Sequence, residues 1–216
     1  MAALAEPLSP PRRRARAGRP AVWCAWLVTT TLGWLAGSLA VYAVLAWTTG
    51  LADTLVRSGA GSAMLGAMMG LAIGLAEWLV LRGEVTGARR WIVVSVATWA
   101  VAWAIGQAMT DALLEDYWLI GLVPGGVLLA AIVSVGQWLV LRRWTRGAGW
   151  WLPAGLVGWS LAGTVSMYGG AGLFGMGLAA FVGPVAWPIA AAPGALAGLI
   201  TGATLIALPR RAPQPV

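Results

Sequence analysis

The sequence predicts an all-α integral membrane protein: six transmembrane helices forming three parallel-repeat helical hairpins with pseudo-threefold symmetry, both termini cytoplasmic. Three observations predict it. First, 60% of the 216 residues are hydrophobic and only 10% are charged, where a soluble domain carries about 25% charged residues. Second, the apolar residues fall in runs long enough to cross a bilayer as helices, the form that satisfies every backbone polar group internally. Third, Glu77-Trp78-Leu79-Val80-Leu81-Arg82 returns sixty residues later as Gln137-Trp138-Leu139-Val140-Leu141-Arg142. Each copy closes an apolar run and is followed by arginines, so each marks the cytoplasmic foot of a helix.

In chain order, residues 1–20 hold prolines and arginines and little to bury, which predicts a disordered basic cytoplasmic tail. The Arg12-Arg13-Arg14 run reads as a positive-inside anchor and not as an export signal, because the apolar run behind it is long and lacks a clear cleavage site. The transmembrane domain spans 21–208, with spans at about 21–47, 61–81, 91–110, 118–141, 150–168 and 184–208. Its hairpins cover about 21–82, 91–142 and 150–208, and residues 209–216 form a short cytoplasmic tail. Thirteen of the fourteen basic residues, all arginine, fall in the tails and in the loops after the second and fourth spans. The opposite side has only Arg57, with Asp53, Asp111, Glu115 and Asp116. The positive-inside rule therefore puts both termini in the cytoplasm. The stretch 169–183 has no charge and is rich in glycine, with Phe174, Met176 and Phe181, and reads as a packed interfacial linker or a re-entrant loop.

The odd-numbered spans share a Trp-x7-Trp frame: Trp26 and Trp34, Trp91 and Trp99, Trp151 and Trp159. A small residue follows three positions after the second tryptophan, as Gly37, Ala102 and Ala162. The sixth span keeps only a remnant of the hexad, Leu205-Ile206-Ala207-Leu208-Pro209-Arg210. Because each hairpin starts in the cytoplasm, the repeats are parallel and their axis lies along the membrane normal. Ser62, Gly66, Gly70 and Gly74 form a ladder of small residues, repeated by Gly126, Ala130 and Ser134. Gly194, Gly198 and Gly202 form another, out of phase with these. Such ladders admit a neighbouring backbone, so the even-numbered helices are expected to line the crowded interior. Tryptophans near the helix ends, Trp23, Trp26, Trp91, Trp144, Trp150 and Trp151 inside and Trp47, Trp118 and Trp187 outside, fit aromatic belts.

Composition excludes several functions. With no histidine and one cysteine, Cys24, the chain lacks histidine-ligated haem or pigment, a Ser-His or His-metal active site, and an internal disulfide. It has no lysine, hence no phosphate-loop lysine, and neither a G-x-S-x-G nor an H-E-x-x-H motif. The net charge of +7 sits in short arginine clusters and not on a basic face. This rejects nucleic acid and leaves attraction to anionic headgroups as a side effect. No enzyme activity, cofactor or metal is expected.

Glu77 shares a helix face with Gly70 and Gly74, so it points at protein. With Gln137 and Ser134 it is the candidate transport or interhelical polar site. The amide at Gln137 favours the interhelical reading, since it can bond but not carry a proton. Trp34, Trp99 and Trp159, about two turns into their helices, are the candidate apolar-ligand or packing site. A quinone, carotenoid or lipid chain would suit it, and repeated packing is the plainer reading. Gln107 and Thr110 have no counterpart in the other hairpins, and the acidic residues at 111, 115 and 116 read as a solvated loop. The three-hairpin plan lacks the Pro-x-Asp/Glu-x-x-Lys/Arg signature of mitochondrial carriers.

The hexads, and Gly136-Gln137-Trp138-Leu139-Val140-Leu141-Arg142 above all, resemble a loose group of small tryptophan-rich bacterial multi-pass membrane proteins. The resemblance covers the hairpins and not the tail, implies a bacterial plasma (inner) membrane location, and brings no functional residue with it. The expected function is a structural or accessory subunit of a larger membrane assembly, or a homo-oligomer. Its expected partners are the lipid bilayer and other membrane subunits or itself. A small transporter or channel using Glu77, and an apolar-ligand binder, are the alternatives.

Overall fold

A computed structural model describes residues 18–48, 50–85, 87–113, 118–175 and 186–209. Among them the chain is helical: α1 Arg19–Trp47, α2 Ala52–Arg57, α3 Gly59–Leu81, α4 Arg89–Leu113, α5 Trp118–Leu141, α6 Trp151–Gly175 and α7 Ala186–Ala207. Four stretches are long and apolar enough to cross a membrane: Arg19–Trp47, Gly59–Leu81, Arg89–Met109 and Trp187–Ala207. The tail up to residue 17, Glu115, Asp116, the stretch 176–185, Arg210 and Arg211 lie outside the described residues.

The six long helices form a closed ring. Each packs against its neighbours in the chain, with α3 following α1, and α7 returns to pack against α1. Successive helices run antiparallel, so the α3–α4 and α5–α6 connections and the start of α1 share one end of the bundle. The two connections have the same build. Glu84 and Val85 bond back to the carbonyl of Leu81 as Trp144 and Thr145 do to that of Leu141. Each then turns through a left-handed glycine, Gly87 at φ 74° and Gly147 at φ 78°, a conformation that costs glycine little and other residues more. At the other end, Ser58 caps α3 by accepting from the backbone N–H of Gly61 at 3.0 Å.

Close approach of the helices depends on the small-residue ladders. A Cβ on Gly70 would lie 2.5 Å from the carbonyl oxygen of Ser95 and 2.8 Å from Cβ of Trp99. Gly194 meets α1 in the same way, with Cβ of Trp34 at 2.7 Å from such a position. Gly74 faces Ser95 as Gly198 faces Thr30. The α7 ladder is therefore in phase with that of α3, correcting the sequence expectation: Gly194 and Gly198 match Gly70 and Gly74, and three residues on Thr201 matches Glu77.

Several other expectations change. The ladders seat the helices that carry the tryptophans, and those tryptophans fill the centre together with Met69, Ile73, Ala130, Val133 and Ala197. The even-numbered spans thus share the interior and do not line it alone. Trp26, Trp91 and Trp151, expected in an interfacial belt, are fully buried, because the helix face that carries Trp34, Trp99 and Trp159 two turns further on also carries them. Trp47, Trp150 and Trp187 are exposed, as a belt requires. Helix α6 runs on to Gly175, so 169–175 is helix and not linker. Asp111 lies in the last turn of α4, and the connection between α1 and α3 contains the short α2 with its exposed Asp53–Arg57 pair at 3.5 Å.

Replacing Gly70 by valine is expected to force α3 and α4 apart and to cost about 1–3 kcal/mol, the usual range for overpacking. Gly83→Ala, where the nearest atom to a new Cβ is 3.8 Å away, is expected to be neutral. Reversible unfolding in mixed micelles compares the two.

Candidate functional site: a polar layer between two tryptophan triangles

The Trp-x7-Trp frame puts two indoles per helix on one face, eight residues or about 12 Å apart along the axis. Three helices bring three such faces together. At the arginine-rich end, Trp26, Trp91 and Trp151 meet with centroids 5.7–5.9 Å apart and planes 75–86° to one another. Two turns further in, Trp34, Trp99 and Trp159 meet at 5.2–6.2 Å. Edge-to-face contacts at these distances set the positive ring edge against a negative ring face. In this second triangle only the Trp34–Trp159 pair is stacked, at 27°.

Between the triangles lies a polar layer. Each indole of the first triangle donates to the matching residue of the preceding long helix in the ring. Trp91 Nε1 donates to Glu77 Oε2 at 2.8 Å, Trp151 Nε1 to Gln137 Oε1 at 3.2 Å, and Trp26 Nε1 to Thr201 Oγ1 at 3.0 Å. Thr201 donates its own proton to the carbonyl of Ala197 at 2.6 Å. Glu77 is the hub. Thr30 Oγ1 donates to Oε1 at 3.2 Å, and Gln137 Nε2 makes a long 3.5 Å contact with Oε2 across the bundle from α5. Glu77, Gln137, Thr201 and Thr30 are all buried. Burying such groups is tolerable because their bonds are made inside the protein, where no water competes.

The layer is not symmetric. One turn beyond the three indoles stand Thr30, Ser95 and Gly155. Thr30 reaches Glu77, the Ser95 hydroxyl is buried without a hydrogen-bond partner, and Gly155 has no side chain to offer. The N–H groups of Trp99 and Trp159 are likewise buried without a hydrogen-bond acceptor.

The structure thus brings Glu77 and Gln137 together and leaves Ser134 apart: its hydroxyl bonds to the carbonyl of Ala130 in its own helix and packs against Gly155. Trp34, Trp99 and Trp159 pack on one another. Gln107 donates to Asp111 at 2.8 Å on an exposed face, remote from the layer. Cys24 is exposed. Sequence reasoning missed Thr30, Thr201 and the donor role of Trp26, Trp91 and Trp151. One signal for them was available: Trp91 and Trp151 each follow their acceptor by fourteen residues. The described residues contain no group of three or more acidic or cysteine side chains placed to hold a metal ion. Comparison of the chain with protein-family models, curated proteins and solved structures finds no match.

Changing Trp26, Trp91 or Trp151 to phenylalanine removes similar ring volume each time and a different hydrogen bond. Trp91→Phe is expected to destabilise most, by roughly 0.5–2 kcal/mol more than the other two, since Glu77 Oε2 then keeps only the long Gln137 contact. Unfolding of the three variants under identical detergent conditions checks the order.

Proposed function

We propose that the chain is a non-enzymatic multi-pass protein of a bacterial plasma membrane, acting as a structural or accessory subunit of a larger membrane assembly or as a homo-oligomer. In this reading α1, α3, α4, α5, α6 and α7 all span the bilayer, as three hairpins that start in the cytoplasm and repeat about a pseudo-threefold axis. The lengths of α5 and α6, 24 and 25 residues, support six spans. Support for the repeat comes from the equivalent bonds of Trp26, Trp91 and Trp151 and from the matching connections through Gly87 and Gly147. The orientation draws on Arg19, Arg82, Arg89, Arg90, Arg142, Arg143 and Arg146, which are exposed at one end, while Arg57 stands at the other.

The observation that carries the reading is the filling of the bundle axis by two tryptophan triangles. Indoles in mutual contact at 5.2–6.2 Å obstruct an axial path at two levels and use the deep tryptophans on one another. A second reading, transport with Glu77 as its ionisable site, draws on one feature, a buried carboxyl with no arginine bonded to it among the described residues. The donors around that carboxyl favour the structural role. A glutamine at 77 could accept from Trp91 and Gln137 through its oxygen and donate to the Thr30 hydroxyl through its nitrogen, replacing all three bonds.

Native mass spectrometry of the protein released gently from its own membrane is expected to show it with other polypeptides or with further copies of itself. Bare monomer throughout would overturn the proposal. Glu77→Gln is expected to keep both stability and association, whereas Glu77→Leu strands the Trp91 N–H and loses about 1–3 kcal/mol. Abolition of an ion or solute flux by Glu77→Gln, with the fold intact, would favour transport instead.

A further inference from the structure

The two hexad feet carry a feature that the polar layer does not use. The guanidinium of Arg82 lies over the ring of Trp78 with its carbon 5.3 Å from the ring centroid, and that of Arg142 over Trp138 at 5.0 Å. Both tryptophans are half-buried and pack against the buried cluster around the first triangle, while both arginines are exposed. A cation resting on an indole is held in place by the ring's negative face. Stacked in this way, a guanidinium keeps the N–H groups of its outer edge for an acceptor, in the planar fork that fits a phosphate with two parallel bonds.

The surroundings select the source of that phosphate. Leu75 and Leu79 are exposed seven and three residues before Arg82, and Val135 and Leu139 stand in the same relation to Arg142. These spacings put an apolar stripe directly below each guanidinium on the outer face of its helix. A phosphate at the arginine with hydrocarbon along the stripe is the outline of a phospholipid. Further arginines ring each foot: Arg89 and Arg90 open α4 beside Arg82, and Arg143 and Arg146 follow Arg142. Helix α7 offers no such pair among its described residues, because Gly202 and Ile206 occupy the places that follow Thr201 as Trp78 and Arg82 follow Glu77.

We propose that Arg82 on Trp78 and Arg142 on Trp138 form two binding sites for anionic phospholipids, each taking the lipid phosphate on the guanidinium and an acyl chain along the apolar stripe beneath it. The second site is the tighter. Its connection carries Arg142, Arg143 and Arg146 with no acidic residue, whereas the first includes Glu84 beside Arg82, Arg89 and Arg90. The sites depend on the bundle lying in a bilayer and not on its assembly with other subunits, so they can fail while the proposed function stands, and the reverse.

The test uses the full-length chain in micelles containing equal amounts of phosphatidylglycerol and phosphatidylcholine with the same acyl chains, read by native mass spectrometry. Two phosphatidylglycerol molecules are expected to be retained in preference to phosphatidylcholine. Arg82→Ala and Arg142→Ala should each remove one, with the larger loss of affinity for Arg142→Ala, and the double variant should remove both. Arg57→Ala, at the opposite end, should retain two. Arg82→Lys keeps the charge but loses the stacked fork, and is expected to weaken its site several-fold. Each of three outcomes would overturn the proposal: equal retention of the two lipids, full retention by the double variant, or displacement of the lipid by inorganic phosphate at matched concentration. All the changed side chains are exposed, so near-UV circular dichroism can confirm that each variant keeps its tryptophan packing.

Discussion

A buried indole N–H left without an acceptor costs free energy, which favours a bundle that supplies one from within the protein. In this chain three such groups occur at one level, on Trp26, Trp91 and Trp151, and each finds its acceptor on a neighbouring helix. Much of the architecture follows from that requirement. The acceptors have to face inward, which puts Glu77, Gln137 and Thr201 on the same helix faces as the small-residue ladders. The ladders in turn bring the backbones close enough for bonds of 2.8–3.2 Å. Apolar burial discriminates little between helices in lipid, so specific bonds and close packing carry the pairing.

The three acceptors solve the same problem with different chemistry. A carboxyl, an amide and a hydroxyl all accept from an indole, yet they differ in what else they can do. Glu77 has capacity for Thr30 and Gln137 besides Trp91, and so links α1, α3, α4 and α5. Gln137 accepts from Trp151 with its oxygen and reaches Glu77 with its nitrogen, tying α6 into the same network. Thr201 accepts once and returns its proton to its own helix, so it closes the ring between α7 and α1 without entering the hub. The lone carboxyl sits where it can collect donors from three other helices, which accounts for a single acidic residue among three equivalent places.

Much of this plan was legible in the chain. The hexads located the feet of α3 and α5, the Trp-x7-Trp frame singled out Trp34, Trp99 and Trp159 as candidates for packing, and the glycine spacing placed Glu77 against protein. Legibility failed where a residue obeyed two rules at once. Trp26, Trp91 and Trp151 stand near helix ends, where tryptophan commonly lies in the interface, and only the three-dimensional convergence of their helices shows that they are core. Thr201 was obscured because the sixth span was aligned on its terminal Leu-Pro-Arg, one turn away from the polar position. The spacing from Gly198 to Thr201, equal to that from Gly74 to Glu77, carried the correct register. The glycine-rich 169–175 looked like linker, yet it continues α6, where a glycine-rich apolar segment satisfies its own backbone. Helix α2 has six residues, too short for periodicity to reveal.

The buried side-chain bond that joins the two ends of the ring, Trp26 with Thr201, lies between residues 175 apart in the chain, beside a longer bond from Trp23 Nε1 to the carbonyl of Leu199 at 3.4 Å. A double-mutant cycle on Trp26→Phe and Thr201→Val, read by reversible unfolding in mixed micelles, isolates it from the packing that each change also perturbs. The indole-to-acceptor account predicts a favourable coupling of about 0.5–2 kcal/mol, the range of hydrogen bonds between membrane helices. Strict additivity of the two changes would contradict it, since the ring would then close without help from that bond.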